Sequence, residues 1–549
     1  MSMSTNPSTN LSTFPPDILI HIYRHVCALP EFKNIEDVDD ADRRPGVMDL
    51  ECISPSSPEI VLSCICRSWR CLMLSMPSFW TVLCVGTPRP LSFKSTEPAP
   101  TAKALGKQTE LLKIWAKRSD GRPLSVVVRL EQEAGNEEDR DAALHLVYEV
   151  RRLSERWEFE FLSVRCHDYL VSFLSSCAFD RFTSRRIQQV ELIETGPSSY
   201  GFQNNRAPSR PCVLKYQAAC MRLEKLKIQG GLDLQMENLF IPTLNVHPIT
   251  MNLTCFIYRQ PPRHRKSFPM TFDDALILLA HCQSLKTFDF AATNDFLFED
   301  DIPDYLPNWN DEEHVLRLNL TRLSLSSTKA LDFGPLLSLL AAPDLEELSL
   351  TGPYYAEWMI DEHDMNYNVH EDWNHVTEFL DRVESPLRKL HLEGMPLTSE
   401  SVVGYLEQMD SIEDLKVDGR IFDRYLVSRL TWMPDAEDSN NLLPELKSLT
   451  VVGCSISYLS IIELVHMIYS RARYLQLFSI DDDVENLVVH EQLKQWTEDK
   501  GPANMDMVRL TDTKDNLDIL ESEWMQKQFM MNPILLNLAT DGCFHMSIE

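Results

Sequence analysis

Six residues with metal-ligand or acid-base side chains crowd one short stretch: His363, Asp364, His370, Glu371, Asp372 and His375. Metal binding needs such donors to converge from fixed positions. Their spacing matches neither His-Glu-x-x-His nor a comparable signature, so they read as surface residues. The fourteen cysteines, among them Cys177, Cys220 and Cys282, sit among apolar neighbours with no pair in Cys-x-x-Cys spacing. That usage suits buried thiols in a reducing compartment better than disulfides or a zinc site. Between Arg259 and Lys266 four basic residues accompany His264, which fits either a nuclear import signal or a solvated loop. Gly-x-Ser-x-Gly, P-loop and dinucleotide fingerprints are absent. The expectation is a protein that is not an enzyme and uses no cofactor or metal.

The bulk composition narrows the partners. The chain has 549 residues, 44% of them hydrophobic, and 82 acidic against 52 basic residues give a formal charge of −30. That field repels phosphate backbones and anionic membranes, so neither nucleic acid nor a membrane is an expected partner. No apolar run approaches the roughly 20 residues of a membrane helix. Residues 1–13 lack the basic flank and apolar stretch of a signal peptide and read as a disordered tail. The expected location is cytoplasmic or nuclear. A chain of this length exceeds the roughly 250 to 300 residues of a single growing core, so several domains or a repeat array are required.

The first eighty residues read as short helices. Pro15 and Pro16 suit a helix start, Asp17 favours its positive end, and Ile18, Leu19, Ile22 and Val26 form an apolar stripe. A second helix runs from Pro58 through Cys66, with Ile60, Val61, Cys64 and Ile65 apolar, into Arg67-Ser-Trp-Arg70; Met76-Pro-Ser-Phe-Trp80 closes the segment. Helices this short cannot bury all that area among themselves, so part of it meets either a partner or the rest of the chain.

These blocks resemble the F-box, whose pattern is Leu-Pro-x-Glu-Ile-Leu, then Val-Cys-Arg-x-Trp-Arg, then x-Pro-x-Leu-Trp. The matches are Pro15, Ile18, Leu19 and Ile22; Ile65, Cys66, Arg67, Trp69 and Arg70; and Pro77, Phe79 and Trp80. The resemblance implies that Pro15, Ile18, Leu19, Ile22, Ile65, Cys66 and Trp69 dock a Skp-type adaptor, which bridges to a cullin. The F-box-like domain spans 14–85, departs from the family in an acidic insertion at 30–57, and is followed by a proline-rich linker at 86–102.

Beyond the linker a unit recurs, Leu-x-x-Leu-x-Leu or a variant. Its copies are Ile187, Val190, Leu192; Leu223, Leu226, Ile228; Leu285, Phe288, Phe290; Leu320, Leu323, Leu325; and Leu345, Leu348, Leu350. Four more are Leu387, Leu390, Leu392; Ile412, Leu415, Val417; Leu446, Leu449, Val451; and Ala472, Leu475, Leu477. Intervals longer than in tight leucine-rich repeats leave room for a helix in each unit, as at 333–340, 373–383, 399–409 and 457–472. Earlier, 111–118 and 140–153 read as helices, and 124–130 and 159–165 as strands. The expected fold class is therefore α/β: a three-helix F-box followed by a leucine-rich repeat solenoid of strands and helices over 103–480. Residues 481–549 form a cap or a partly disordered tail. The pattern is similar to the irregular repeats of a large fungal F-box group. A doubly wound α/β domain is the alternative.

Within each unit the leucines point inward, so the residues between them line the other sheet face. Candidate target contacts there are Lys225, Lys227, Asp289, Arg322, Glu347, Lys389, His391, Asp414, Lys416 and Tyr474. Aromatic and acidic insertions at 354–367 and 296–313 are further interaction candidates. The expected function is substrate recognition for a Skp-cullin-F-box ubiquitin ligase, with an unknown protein target. The alternative is an interaction scaffold with a degenerate F-box, outside ubiquitination.

Overall fold

The computed structural model describes residues 60, 64, 67–87, 101–130, 136–154, 156–166, 187–194, 223–230, 252–259, 271–292, 309–310, 315–327, 333–352, 374–395, 397–419, 421–433, 441–452, 467, 470–471, 477–482, 508–512 and 546–547. The chain is mixed α/β, built on parallel sheet, and divides into two compact units: 1–270 with 277–287, and 271–276 with 288–549.

In the first unit, helix α1 (Arg67–Ser75) leads through a short 3-10 turn at Pro77–Trp80 into strand β1 (Val82–Gly86). Then come α2 (Ala102–Arg118), β2 (Leu124–Leu130), α3 (Glu137–Ser154), β3 (Phe159–Cys166), β4 (Gln189–Glu194), β5 (Lys225–Gln229) and β6 (Cys255–Arg259). Thr101 caps α2, its side chain accepting from the Ala104 N–H, while α3 opens on Glu137, Glu138 and Asp139 and closes on Arg151 and Arg152, the charge order its dipole favours. Strands β1 to β6 pair in parallel and in chain order. The register stacks Leu83, Val126, Leu162, Val190, Leu226 and Phe256 in one row, and Val85, Val128, Val164, Leu192, Ile228 and Tyr258 in the next.

The sheet thus begins at Val82, inside the 14–85 segment read from sequence as F-box-like and just past its last expected helix. Its edge is closed by a buried side chain: Gln108 of α2 accepts from the Gly86 N–H at 2.7 Å and donates to the Gly86 carbonyl at 2.9 Å. An edge strand leaves such groups unpaired, and Gln108 supplies what a further strand would.

Helix α4 (Phe272–His281) precedes β7 (Thr287–Ala292). The second unit continues with β8 (Trp309–Asn310), β9 (Val315–Arg317), β10 (Arg322–Ser327), α5 (Gly334–Ser338), β11 (Leu340–Ala341), β12 (Glu347–Thr351), α6 (Asn374–Leu380), β13 (Lys389–Glu393), α7 (Ser399–Leu406), β14 (Asp414–Asp418), α8 (Arg424–Leu430) and β15 (Ser448–Val452). Strands β16 (Leu477–Asp482), β17 (Val508–Asp512) and β18 (Met546–Ser547) follow. From β10 through β12, β13, β14, β15, β16 and β17 to β18 every pairing is parallel. Strands β8, β9 and β11 make a separate small sheet, β8 antiparallel to β9 and β11 parallel to it, which the sequence pattern does not foretell.

Two points correct the repeat reading. The interval between Leu223 and Leu285 hides another unit, Leu253-x-x-Phe256-x-Tyr258, whose Phe256 and Tyr258 pair with Leu226 and Ile228; aromatic rings replace the expected aliphatics. The last unit is displaced, because Phe478 pairs with Leu449 and Ile480 with Val451. The register therefore sets Phe478 and Ile480, rather than Leu477, beside Leu449 and Val451, while Leu475 lies outside the described residues.

Two arginines fasten helix ends in the second unit. Arg471, fully buried, donates from Nη1 to the Leu443 carbonyl at 2.8 Å, from Nε to that of Leu430 and from Nη2 to that of Leu442. Arg382 repeats the device, reaching the carbonyls of Leu340 at 3.0 Å, Leu337 at 3.0 Å and Ser338 at 3.1 Å. The last carbonyls of α5 and α8, and of the turns after them, are orphaned by helix geometry, and a planar fork of donors answers several at once.

Candidate functional site

The two units differ in what covers the sheet face opposite the stacked apolar rows. Strands β10, β12, β13 and β14 alternate in sequence, as in Arg-Leu-Ser-Leu-Ser and Lys-Leu-His-Leu-Glu, and the alternation is matched in burial: Leu and Val positions buried and the residues between them half-buried, except Asp418 at the end of β14, which is buried. Strand β15 follows suit until Val452, which is buried. In the first unit β2 reads Leu-Ser-Val-Val-Val-Arg-Leu and every residue is buried. On the same face, Cys84, Ser163, Glu191, Ile193, Lys225, Cys255 and Ile257 are buried as well. Among the described residues, the sheet face left half-open to a partner is that of β10 to β15.

Its first row runs Arg322, Glu347, Lys389, Asp414 and Ser448 across neighbouring strands, and its second runs Ser324, Ser349, His391, Lys416 and Thr450. Charges alternate along the first row and bond sideways: Glu347 lies 3.5 Å from Arg322 and 2.8 Å from Lys389. Lys416 pairs with Glu393 at 2.9 Å. His391 Nε2 stands 4.0 Å from Asp414 Oδ2, an electrostatic approach rather than a hydrogen bond. Burial opposes ionisation of Asp414, but His391, Ser448 and Lys389 outweigh it and hold the carboxyl below its ordinary range. At the strand entrances Glu413 bridges Lys447 at 2.7 Å and Arg388 at 3.9 Å. The outcome is a nearly neutral, polar patch on a strongly acidic chain.

Six of the residues anticipated for target contact, Arg322, Glu347, Lys389, His391, Asp414 and Lys416, are brought together on this face. Three of the other four are not. Lys225 and Asp289 are 7% and 3% exposed. Lys227 is held 3.2 Å from Glu191. Tyr474 lies outside the described residues.

Sequence reasoning also missed the cluster that holds Lys227. Glu191 accepts from Ser163 Oγ at 2.6 Å and lies 3.2 Å from both Arg165 Nη2 and Lys227 Nζ. Burial alone raises a carboxyl, yet Arg165, Lys227 and Ser163 together hold Glu191 down to about 2. The legible signal was the Val126-Val127-Val128 run of β2, since a strand buried on both faces loses its alternation.

At the front of the chain, Pro15, Ile18, Leu19, Ile22, Ile65 and Cys66 lie outside the described residues, and Trp69 falls on α1. The end of this segment is anchored inward. Trp80 is fully buried, donates from Nε1 to the Met73 carbonyl at 2.8 Å and meets Trp115 edge-on at 4.8 Å between centroids; Arg118 lies 4.4 Å above its ring. Cys64, Arg67, Arg70, Cys71 and Leu74 are exposed.

Among the described residues no three His, Cys, Asp or Glu side chains gather to hold a metal, and no helix is long and apolar enough to cross a membrane. The anticipated clusters at 363–375 and 259–266, and the insertions at 354–367 and 296–313, lie largely outside the described residues. What the β10–β15 face can do chemically is hold a partner by exchanging its paired charges and hydroxyls for those of a ligand. No protein-family model matches the chain, and no curated protein matches it.

Proposed function

We propose that the chain is the substrate receptor of a Skp-cullin-F-box ubiquitin ligase, acting in the cytoplasm or nucleus, with catalysis supplied by other subunits. On this reading the front helices dock a Skp-type adaptor, and the strands and helices behind them form an irregular leucine-rich repeat solenoid whose open face receives the target. Parallel strands in chain order with apolar residues stacked in register support the repeat reading, since one strand and one helix cannot enclose a core and stacked copies share one.

The observation that carries the docking half lies on α1. Its inner side is fixed through Met73 and Trp80, while Arg67, Cys71 and Leu74 recur at helical spacing on an exposed stripe. Leu74 is 47% exposed, as a residue awaiting another subunit would be.

Affinity capture of the full chain tests this. Wild type should retain the adaptor, and the double change Ile18→Asp, Ile22→Asp should abolish retention while circular dichroism stays unchanged. Absence of capture by the wild-type chain would favour a scaffold working outside ubiquitination.

A further inference from the structure

We propose that a second copy of this chain docks on the outer face of α2 and α3, the basic α2 of each copy lying against the acidic α3 of the other. This goes beyond the receptor reading and does not depend on it.

The two helices run side by side in the same direction. At their starts the Ala102 N–H donates to Asp139 Oδ1 at 2.5 Å, and farther along Lys113 Nζ lies 4.0 Å from Glu149 Oε1. Each helix turns one exposed stripe outward at helical spacing. On α2 it is Lys103, Lys107, Glu110, Ile114 and Lys117; on α3 it is Glu138, Asp141, His145, Tyr148 and Arg152. The side contacts set the stripes level in that order, to within about two residues or roughly 3 Å of rise. Lys103 is thus level with Glu138, Lys107 with Asp141, Glu110 with His145, and Ile114 with Tyr148.

Charge and apolar surface point to the occupant. Among the described residues no ion pair engages Lys103, Lys107, Glu138 or Asp141, so their charges remain open to a partner. Ile114 and Tyr148 are 43% and 52% exposed, and their shared level makes them one apolar spot within the charged face. A copy turned about a twofold axis parallel to the helices sets each α2 residue over the level residue of the other copy's α3. Lys103 and Lys107 then meet Glu138 and Asp141, Glu110 meets His145, and Ile114 meets Tyr148, each contact made twice. The one unfavourable contact, Lys117 against Arg152, falls at the C-terminal ends. A twofold axis across the helices would instead lay α2 on α2, with Lys103 over Lys117 and Lys107 over Ile114. The order of charges therefore selects the parallel arrangement.

Size is sufficient for a weak dimer. Helices of 17 and 18 residues are about 26 Å long, and side by side they span roughly 20 Å. The face is on the order of 500 Å² per copy, or about 1,000 Å² for the pair, the lower bound for a specific interface. The net charge of −30 on each copy opposes association, but at physiological salt charges more than roughly 8 Å apart are largely screened, whereas the facing pairs are closer.

Sedimentation equilibrium of the full chain through the micromolar range tests this. Wild type should show a monomer–dimer equilibrium. Lys103→Glu with Lys107→Glu makes both stripes acidic at that end, and Glu138→Lys with Asp141→Lys makes both basic. Each variant alone should dimerise about tenfold or more weakly. Mixed in equal amounts the two should associate again, because the acidic α2 of one then meets the basic α3 of the other. Should either inversion disturb folding, seen by circular dichroism, Ile114→Asp removes the apolar contact alone and should also weaken the dimer. A wild-type chain that stays monomeric, a dimer indifferent to these changes, or folded inverted variants that fail to pair when mixed would overturn the proposal.

Discussion

Single buried charges hold disproportionate weight in this chain. Arg471 has no exposed surface, and burial pulls its guanidinium down to about 10, still well above neutral pH, so the group stays charged and donates to three carbonyls. Replacing it by Met fills part of the space but strands the carbonyls of Leu430, Leu442 and Leu443. Arg471→Met should therefore cost about 3 kcal/mol, measured by urea titration, and Arg471→Lys should recover little of it because an ammonium cannot reproduce the planar fork. Glu191 makes a pH-dependent prediction. Its folded carboxyl sits at about 2 against an ordinary 4.5, so its contribution, on the order of 3 kcal/mol, is present above the unfolded value and lost as pH falls from about 4.5 towards 2. Glu191→Gln should lower stability at pH 7 by a similar amount and flatten the acid limb of the stability profile through that window. An unchanged acid limb would mean that the cluster is not ionised as its geometry indicates.

At the scale of elements, strand ends approach so closely that side chains are excluded. A Cβ on Gly352 would stand 2.6 Å from the Gly394 carbonyl oxygen, while the Gly352 N–H donates to Glu393 at 2.7 Å. Gly352→Ala must push β12 from β13, and a loss of about 1 to 3 kcal/mol is expected in thermal denaturation. The strands that pattern reading found best are those with strict alternation, β10, β12, β13 and β14, because one polar face leaves its mark in the sequence at every second residue. Those it misread fail for physical reasons. Phe256 and Tyr258 fill leucine positions with rings, Leu477 offers a leucine one place out of register with Leu449, and β1 is a short strand directly after the turn that ends in Trp80. The candidate face was legible as a row of intervening residues, but not its limits. Lys225 and Lys227 look solvated by type, and burial of their face is set by the whole chain rather than by their own strand.

Across the whole molecule, a net charge of −30 coexists with a face on which acids and bases cancel. Such a field repels other anionic molecules, and the locally neutral patch is the part of the described surface where that repulsion is weakest. The front segment has the complementary property of offering exposed apolar surface on α1 while Trp80 secures its base against Trp115. On the receptor proposal, the adaptor docks at the front segment and the target at the neutral face. The most direct measurement is size-exclusion chromatography with light scattering on the purified chain mixed with a Skp-type adaptor. The receptor account predicts a one-to-one complex that Ile18→Asp with Ile22→Asp dissolves; two separate peaks for the folded wild-type chain and adaptor would contradict it.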